Sequence, residues 1–203
     1  AFVEGTVSTE RDLKKLKEIR ERSKVIIAFG NCAIDGCIQS MRNDQTTLAE
    51  KLQDVYGVEP GFFDALPSKP IREYVTVDLQ IPGCPVEKTE VLKAVSSLLH
   101  GDLPQRYTYP VCVECKINEY PCLITEESKP CLGPIIKAGC NARCPSLGLD
   151  CIGCRGTVEG SETFAAEYKM LLDLGYTEVD IMNRLRVFSG ELAAGFLGGN
   201  NNE

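Results

Sequence analysis

The chain has 203 residues, enough for a sizeable core, with 22 Lys+Arg against 29 Asp+Glu and a net charge of −7. An acidic chain with no basic stripe is a poor nucleic-acid binder, and no apolar run reaches the roughly 18 residues of a membrane-spanning helix. Eleven cysteines, an odd number, fit a disulfide framework poorly, and thiols in such quantity point to a reducing cytoplasm.

The opening residues 1–5 read as a short buried strand ending at Gly5. Because the chain opens directly in a strand pattern, further residues are expected upstream. Ser8 or Thr9 can cap a helix over 10–22, whose apolar side is Leu13, Leu16 and Ile19. Residues 24–30 form a near-continuous apolar run, as a parallel strand covered on both sides does. Strand, helix and strand in this order make a βαβ unit, the building block of doubly wound sheets, whose ligands bind at the carboxyl ends of the strands. Cys32 falls at that position.

A second amphipathic helix is expected over 46–56, an irregular stretch over 62–70 and a strand over 75–79. Cys84 follows in the turn Pro82-Gly83-Cys84-Pro85, and a third helix is expected over 87–99. Cys32 and Cys84 would then share one edge of the sheet, a position suited to metal ligation, with two buried thiols as the lesser alternative. Residues 101–109 read as a linker. His100, the single histidine, sits at a helix end, where it suits the helix dipole better than a metal. Helices are expected over 161–174 and 177–186, and a frayed Gly/Asn-rich tail over 195–203.

The densest signal lies between the linker and these helices. Cys112, Cys115, Cys122, Cys131, Cys140, Cys144, Cys151 and Cys154 have the spacing C-x2-C-x6-C-x8-C-x8-C-x3-C-x6-C-x2-C. Eight thiols make two sets of four, and four thiolates hold one cubane iron–sulfur cluster. Two zinc sites could also use all eight. The triad Cys112, Cys115, Cys122 reads x2 then x6, and Cys144, Cys151, Cys154 reads x6 then x2. One cluster per triad is expected, with Cys131 and Cys140 as fourth ligands in an order the spacing leaves open. The intervening glycines and prolines predict tight loops that aim backbone amides at cluster sulfurs.

The runs Val3-Glu4-Gly5, Gly30-Asn31-Cys32-Ala33 and Pro82-Gly83-Cys84-Pro85 resemble the small subunit of nickel–iron hydrogenases and the related complex I subunit. Val111-Cys112-Val113-Glu114-Cys115, Pro130-Cys131-Leu132-Gly133-Pro134, Ala138-Gly139-Cys140 and Cys144-Pro145-Ser146 resemble the cytoplasmic, group 3 type. That type includes the methyl-viologen-reducing hydrogenases of methanogens and the delta subunits of sulfhydrogenases.

The resemblance implies an α/β fold: a flavodoxin-like doubly wound parallel sheet, here N-terminally incomplete, then a loop-rich two-cluster domain and C-terminal helices. The segments would be 1–105 for the proximal-cluster domain, 106–158 for the two-cluster domain and 159–203 for the helices and tail. It implies that Cys32 and Cys84 ligate a proximal 4Fe–4S cluster, whose other two ligands lie in a C-x2-C motif upstream. The eight later cysteines would hold medial and distal clusters. It further implies an electron-transfer subunit with no catalytic residue of its own. Electrons from H2 would come from a large subunit bearing the nickel–iron site and pass to an iron–sulfur or flavoprotein partner such as heterodisulfide reductase. Cys37 stands where relatives carry glycine and reads as a buried free thiol; Glu4 reads as a surface carboxylate rather than a proton carrier. A complex-I-like quinone or ferredoxin oxidoreductase subunit, and a zinc-structured binding module, are the rival functions.

Overall fold

Residues 1–43, 47–58, 64–104, 106–158 and 161–190 are described by the structure, a computed structural model. The expected tail at 195–203 lies outside them, as do Thr46, residues 62–63 and residue 105 of the other expected segments. The chain divides into two compact units, one of residues 1–82 with 186–203 and one of residues 83–185.

The first unit is built on a three-stranded, fully parallel sheet. β1 (Phe2–Glu4) pairs with β2 (Ile27–Phe29), which pairs with β3. Parallel neighbours need a crossover, and α1 (Glu10–Arg22) supplies it between β1 and β2. The Thr9 hydroxyl starts α1 by accepting the Asp12 N–H at 3.0 Å. Glu10 and Asp12 occupy the first turn and Arg20 and Arg22 the last, the order that complements the helix dipole. Leu16 is fully buried in a core with Val7, Ile26, Ala28, Ala33, Ile34 and Ile71, and Leu13 and Ile19 pack against it. The spacing of those three residues is thus read correctly as the buried stripe.

Between β2 and β3 lie α2 (Asn31–Asp35), a 3-10 turn at Cys37–Arg42, α3 (Leu48–Tyr56) and a short turn at Ile71–Glu73. A capping box starts α3: Thr47 accepts from Glu50 N, and the Glu50 carboxylate accepts from Thr47 N. β3 is Leu79–Ile81, not the expected 75–79. Val75 and Val77 alternate because they pack against the core from irregular backbone, which the Ile71 carbonyl still shapes by accepting the Tyr74 and Val75 N–H groups. Pairing begins only after Asp78, whose carboxylate accepts the Ile26 N–H and the Arg20 guanidinium, both at 2.7 Å.

β1 departs from the expected buried strand. Only Val3 is half-covered, and Phe2 is 50% exposed, with its ring edge-on to Phe29 at 5.9 Å. β1 pairs on one side only, so Phe2 is a rim residue rather than core.

The second unit carries α4 (Lys88–Leu99), α5 (Val111–Ile117), α6 (Leu123–Glu127), α7 (Ser161–Asp173) and α8 (Glu178–Arg186), the last residue of α8 falling in the first unit. The cysteine region holds only these short helices, 3-10 turns and bridges, as its Gly/Pro content predicts. Val111, Leu132, Ile135, Ile136, Phe164, Leu171, Ile181 and Leu185 are buried here. Both α5 and α7 pack on the turn at Gly133–Ile135.

Candidate metal centre

Each cysteine is placed by a short local motif. The buried Val111 donates its N–H to the Ile136 carbonyl and anchors α5, and one turn of that helix brings Cys112 and Cys115 to the same side. Cys122 precedes α6, and its carbonyl accepts the Glu126 N–H at 2.9 Å. Leu132 donates to the Cys151 carbonyl at 3.0 Å while Cys151 donates its N–H to the Cys131 sulfur at 3.2 Å, so the two cysteines are clasped by backbone. A Cβ at Gly133 would lie 3.3 Å from the Cys112 sulfur and 3.4 Å from the Cys131 sulfur, so a glycine there lets the backbone close on both.

Cys140 sits in a loop organised by Glu114. The Glu114 carboxylate accepts the Gly139 N–H at 2.8 Å and the Ala142 N–H at 3.0 Å. Asn141 and Ala142 both have positive φ, 55° and 48°, which turns their amides inward. Cys144 opens the 3-10 turn at Pro145–Leu147, and its carbonyl accepts the Leu147 and Leu149 N–H groups.

The thiols fall into two electrostatic neighbourhoods. Cys112 and Cys115 both feel Cys131 and Cys122, with Cys115 also feeling Cys140 across the division; Cys154 feels Cys140 and Cys144. Cys151 stands between, influenced by Cys131, Cys154 and Cys140. Burial pushes the Cys112 thiol up to about 12 and Cys115 up to about 11, with the neighbouring thiols adding to the shift. Burial also raises Cys131, Cys140, Cys151 and Cys154. Cys122 differs: burial raises it, but hydrogen bonds from Thr125 and Ile124 outweigh that and hold its thiol below the usual value.

Backbone N–H groups face four more of these sulfurs, with the Cys151 N–H on Cys131 the contact given by distance. The donors are Gly133 and Cys151 to Cys131, Gly153 to Cys151, Ala142 and Arg143 to Cys140, and Cys84 to Cys154. Thiolates are the metal-binding form, and a cationic metal core would relieve the repulsion that crowding and burial impose on them. The donor set fits an iron–sulfur group on that ground. Among the described residues, no three Cys, His, Asp or Glu side chains converge as a single metal ion requires.

The other expected ligands lie in different units. Cys32 is half-buried in the first turn of α2, three residues past the end of β2. Cys84 is exposed, three residues past the end of β3, and belongs to the second unit. Cys37 is fully buried with φ 49°. His100 caps the end of α4, where its ring nitrogen meets the Ser96 carbonyl at 2.7 Å.

Four residues near the candidate ligands are given no role by the sequence reading. Glu114 holds the Cys140 loop. Arg155 is 1% exposed and paired with Glu90 at 2.8 Å. Glu167 is 3% exposed, and burial raises its carboxyl to about 8. Asn31 ties the residue before Cys32 to the Phe188 carbonyl at 2.5 Å.

The chain joins a parallel sheet with Gly-turn cysteines to a thiol-lined unit, and residues 1–98 match the family described as NADH ubiquinone oxidoreductase, 20 Kd subunit. The chain is 47% identical to sulfhydrogenase 2 subunit delta of Pyrococcus furiosus, over 77% of this chain and 65% of that one. It thus spans just under two thirds of that relative's length. It is 33% identical to a subunit of the vhu F420-non-reducing hydrogenase of Methanocaldococcus jannaschii, over 93% of this chain and 75% of that one. The chain belongs to the family of hydrogenase-associated subunits, chains of oxidoreductase complexes, that contains these two proteins. Among solved structures, the NAD+-reducing NiFe hydrogenase in its H2-reduced state matches at 29% identity with a TM-score of 0.44, covering 50% of this chain and 64% of that chain. No helix among the described residues is long and apolar enough to cross a membrane.

Proposed function

We propose that this chain is the electron-transferring small subunit of a cytoplasmic, group 3 nickel–iron hydrogenase. The observation that carries the reading is the pair of thiol neighbourhoods, each furnished with backbone N–H donors, in a chain of the hydrogenase family. Residues 106–158 act as the two-cluster segment, 1–105 as a flavodoxin-like proximal segment and 159–203 as supporting helices. Cys112, Cys115, Cys122 and Cys131 form one 4Fe–4S set; Cys140, Cys144, Cys151 and Cys154 form the other. The mutual influence of Cys131 with the first triad, and of Cys140 with Cys154, favours that assignment. Cys32 and Cys84 serve as ligands of a proximal cluster.

When bound, the clusters supply one-electron conduction. The chain's residues hold them, exclude water by burial and set their potentials through amide hydrogen bonds. Electrons from H2 arrive from a nickel-bearing large subunit and leave to an iron–sulfur or flavoprotein partner, for example a heterodisulfide reductase.

Iron, acid-labile sulfide, zinc and nickel per chain, measured on the anaerobically purified complex, test this. About twelve irons mean three cubanes and about eight mean the Cys112–Cys154 pair alone. Zinc in place of iron overturns the reading. The match of residues 1–98 to a complex I subunit family gives a second reading, a quinone- or ferredoxin-linked oxidoreductase subunit. H2-dependent viologen reduction by the same complex separates the two, because only the hydrogenase reading expects it.

A further inference from the structure

We infer that Arg155 is a tuning residue that biases electrons toward the cluster held by Cys140, Cys144, Cys151 and Cys154. The inference rests on the iron–sulfur reading above and goes beyond it in giving the relay a direction.

Arg155 follows Cys154 directly, yet its side chain turns into the protein and is 1% exposed. Three contacts hold it. Its Nε donates to the Ala138 carbonyl at 2.8 Å, its terminal nitrogen donates to Glu90 at 2.8 Å, and the guanidinium lies over the Tyr107 ring at 5.8 Å. Gly139 makes room for it, since a Cβ there would overlap the guanidinium and the Tyr107 ring. Gly139 is also the residue before Cys140, so the loop that carries a ligand is moulded around the cation.

Guanidinium is charged at all accessible pH, so this is a fixed positive charge. Its effect reaches both Cys140 and Cys154: burial raises each thiol, Glu114 adds to the rise at Cys140, and Arg155 opposes it at both. The other neighbourhood has a different surround. There the buried acid Glu167 lies near Cys112 and Cys131, and Arg184, paired with Asp150 as Arg155 is with Glu90, lies near Cys131. A cluster gains negative charge on reduction, so a buried cation beside one cluster favours its reduced state. The exchange is a transfer of one electron: the cluster of Cys112, Cys115, Cys122 and Cys131 is oxidised by one electron and the cluster beside Arg155 is reduced by one. No bond is made or broken.

The test is an anaerobic redox titration followed by electron paramagnetic resonance, on the whole complex, with iron and sulfide counted first. Arg155→Gln is expected to lower the reduction equilibrium of one cluster by about tenfold or more, which is about 59 mV for a one-electron couple, and to leave the other unchanged. Arg155→Lys retains the charge and is expected to stay near the parent. Glu90→Gln removes the counter-charge and is expected to shift the same cluster in the opposite direction. A purely structural role predicts no such reversal of sign. If Arg155→Gln fails to assemble, the Glu90→Gln shift decides. Clusters present with no shift, or with both variants shifting the same way, overturn the inference alone. A parent complex without iron and sulfide overturns the function reading and this inference with it.

Discussion

In residues 1–82 the core is an apolar cluster of Leu16, Ile26, Ala28, Ile34 and Ile71, and the buried polar side chains Asn31, Ser40 and Ser68 are uncharged. In residues 83–185 the buried set includes Cys131, Cys151, Arg155 and Glu167 beside Leu132, Ile135 and Leu171. Apolar burial stabilises the first unit outright. In the second, crowded thiols and ionisable groups oppose folding unless something neutralises them, because buried charge is costly without a partner. On the iron–sulfur reading proposed above, the first unit rests on its apolar core and the fold of the second is coupled to its metal.

The largest expected effect is therefore metal removal. Stripping the complex with an iron chelator under reducing conditions should abolish protection from proteolysis and hydrogen exchange across residues 106–158. Protection of α1 and β2 should persist. Hydrogen exchange read by mass spectrometry checks both halves of the statement, and retention of protection over 106–158 would break the comparison.

A smaller effect is expected from the converse substitution. Leu16 is 3% exposed in the centre of the sheet core. Leu16→Ala should cost about 2–5 kcal/mol, the usual range for a buried leucine that leaves a cavity. Exchange protection of α1 and β2 should fall by that amount, while iron per chain stays at the parent value. Iron lost in proportion to that destabilisation would show that the two units do not stand on separate interactions.

The same contrast explains what could be read from the chain alone. The bounds of α1 were legible because Thr9, the acidic first turn and the Leu13/Leu16/Ile19 stripe are all local signals. The pattern of Val75 and Val77 misled because alternation marks any chain lying on a core, paired or not. Phe2 misled because hydrophobicity does not say whether a strand has a neighbour on each side. The eight cysteines were marked by their spacing as candidate metal ligands. Glu114, Arg155 and Glu167 were not, because each acts on residues distant in the chain that only folding brings near, as the Glu114–Cys140 and Arg155–Glu90 contacts, 26 and 65 positions apart, illustrate. Charged residues are a quarter of the chain, and nothing local marks the few that are buried.

Glu167 offers the finest probe of how the second unit tolerates ionisable groups. It lies on α7, is 3% exposed, and neither carboxyl oxygen has a hydrogen-bond partner among the described residues. Burial raises its carboxyl from 4.5 to about 8. The folded chain thus keeps this proton where the unfolded chain has released it. Stability from this group is fully present below pH 4.5, declines as pH rises, and is gone above about 8. An anionic cluster nearby pushes in the same direction, since it too disfavours the carboxylate. Glu167→Gln removes the ionisation while keeping shape and polarity. The thermal midpoint of the complex, followed from pH 5.5 to 9, should be higher in the variant at pH 9 and should converge on the parent toward the acid end. Equal midpoints at every pH would mean that Glu167 is solvated or paired in the assembled complex, and that the second unit shelters its acid by other means than leaving it neutral.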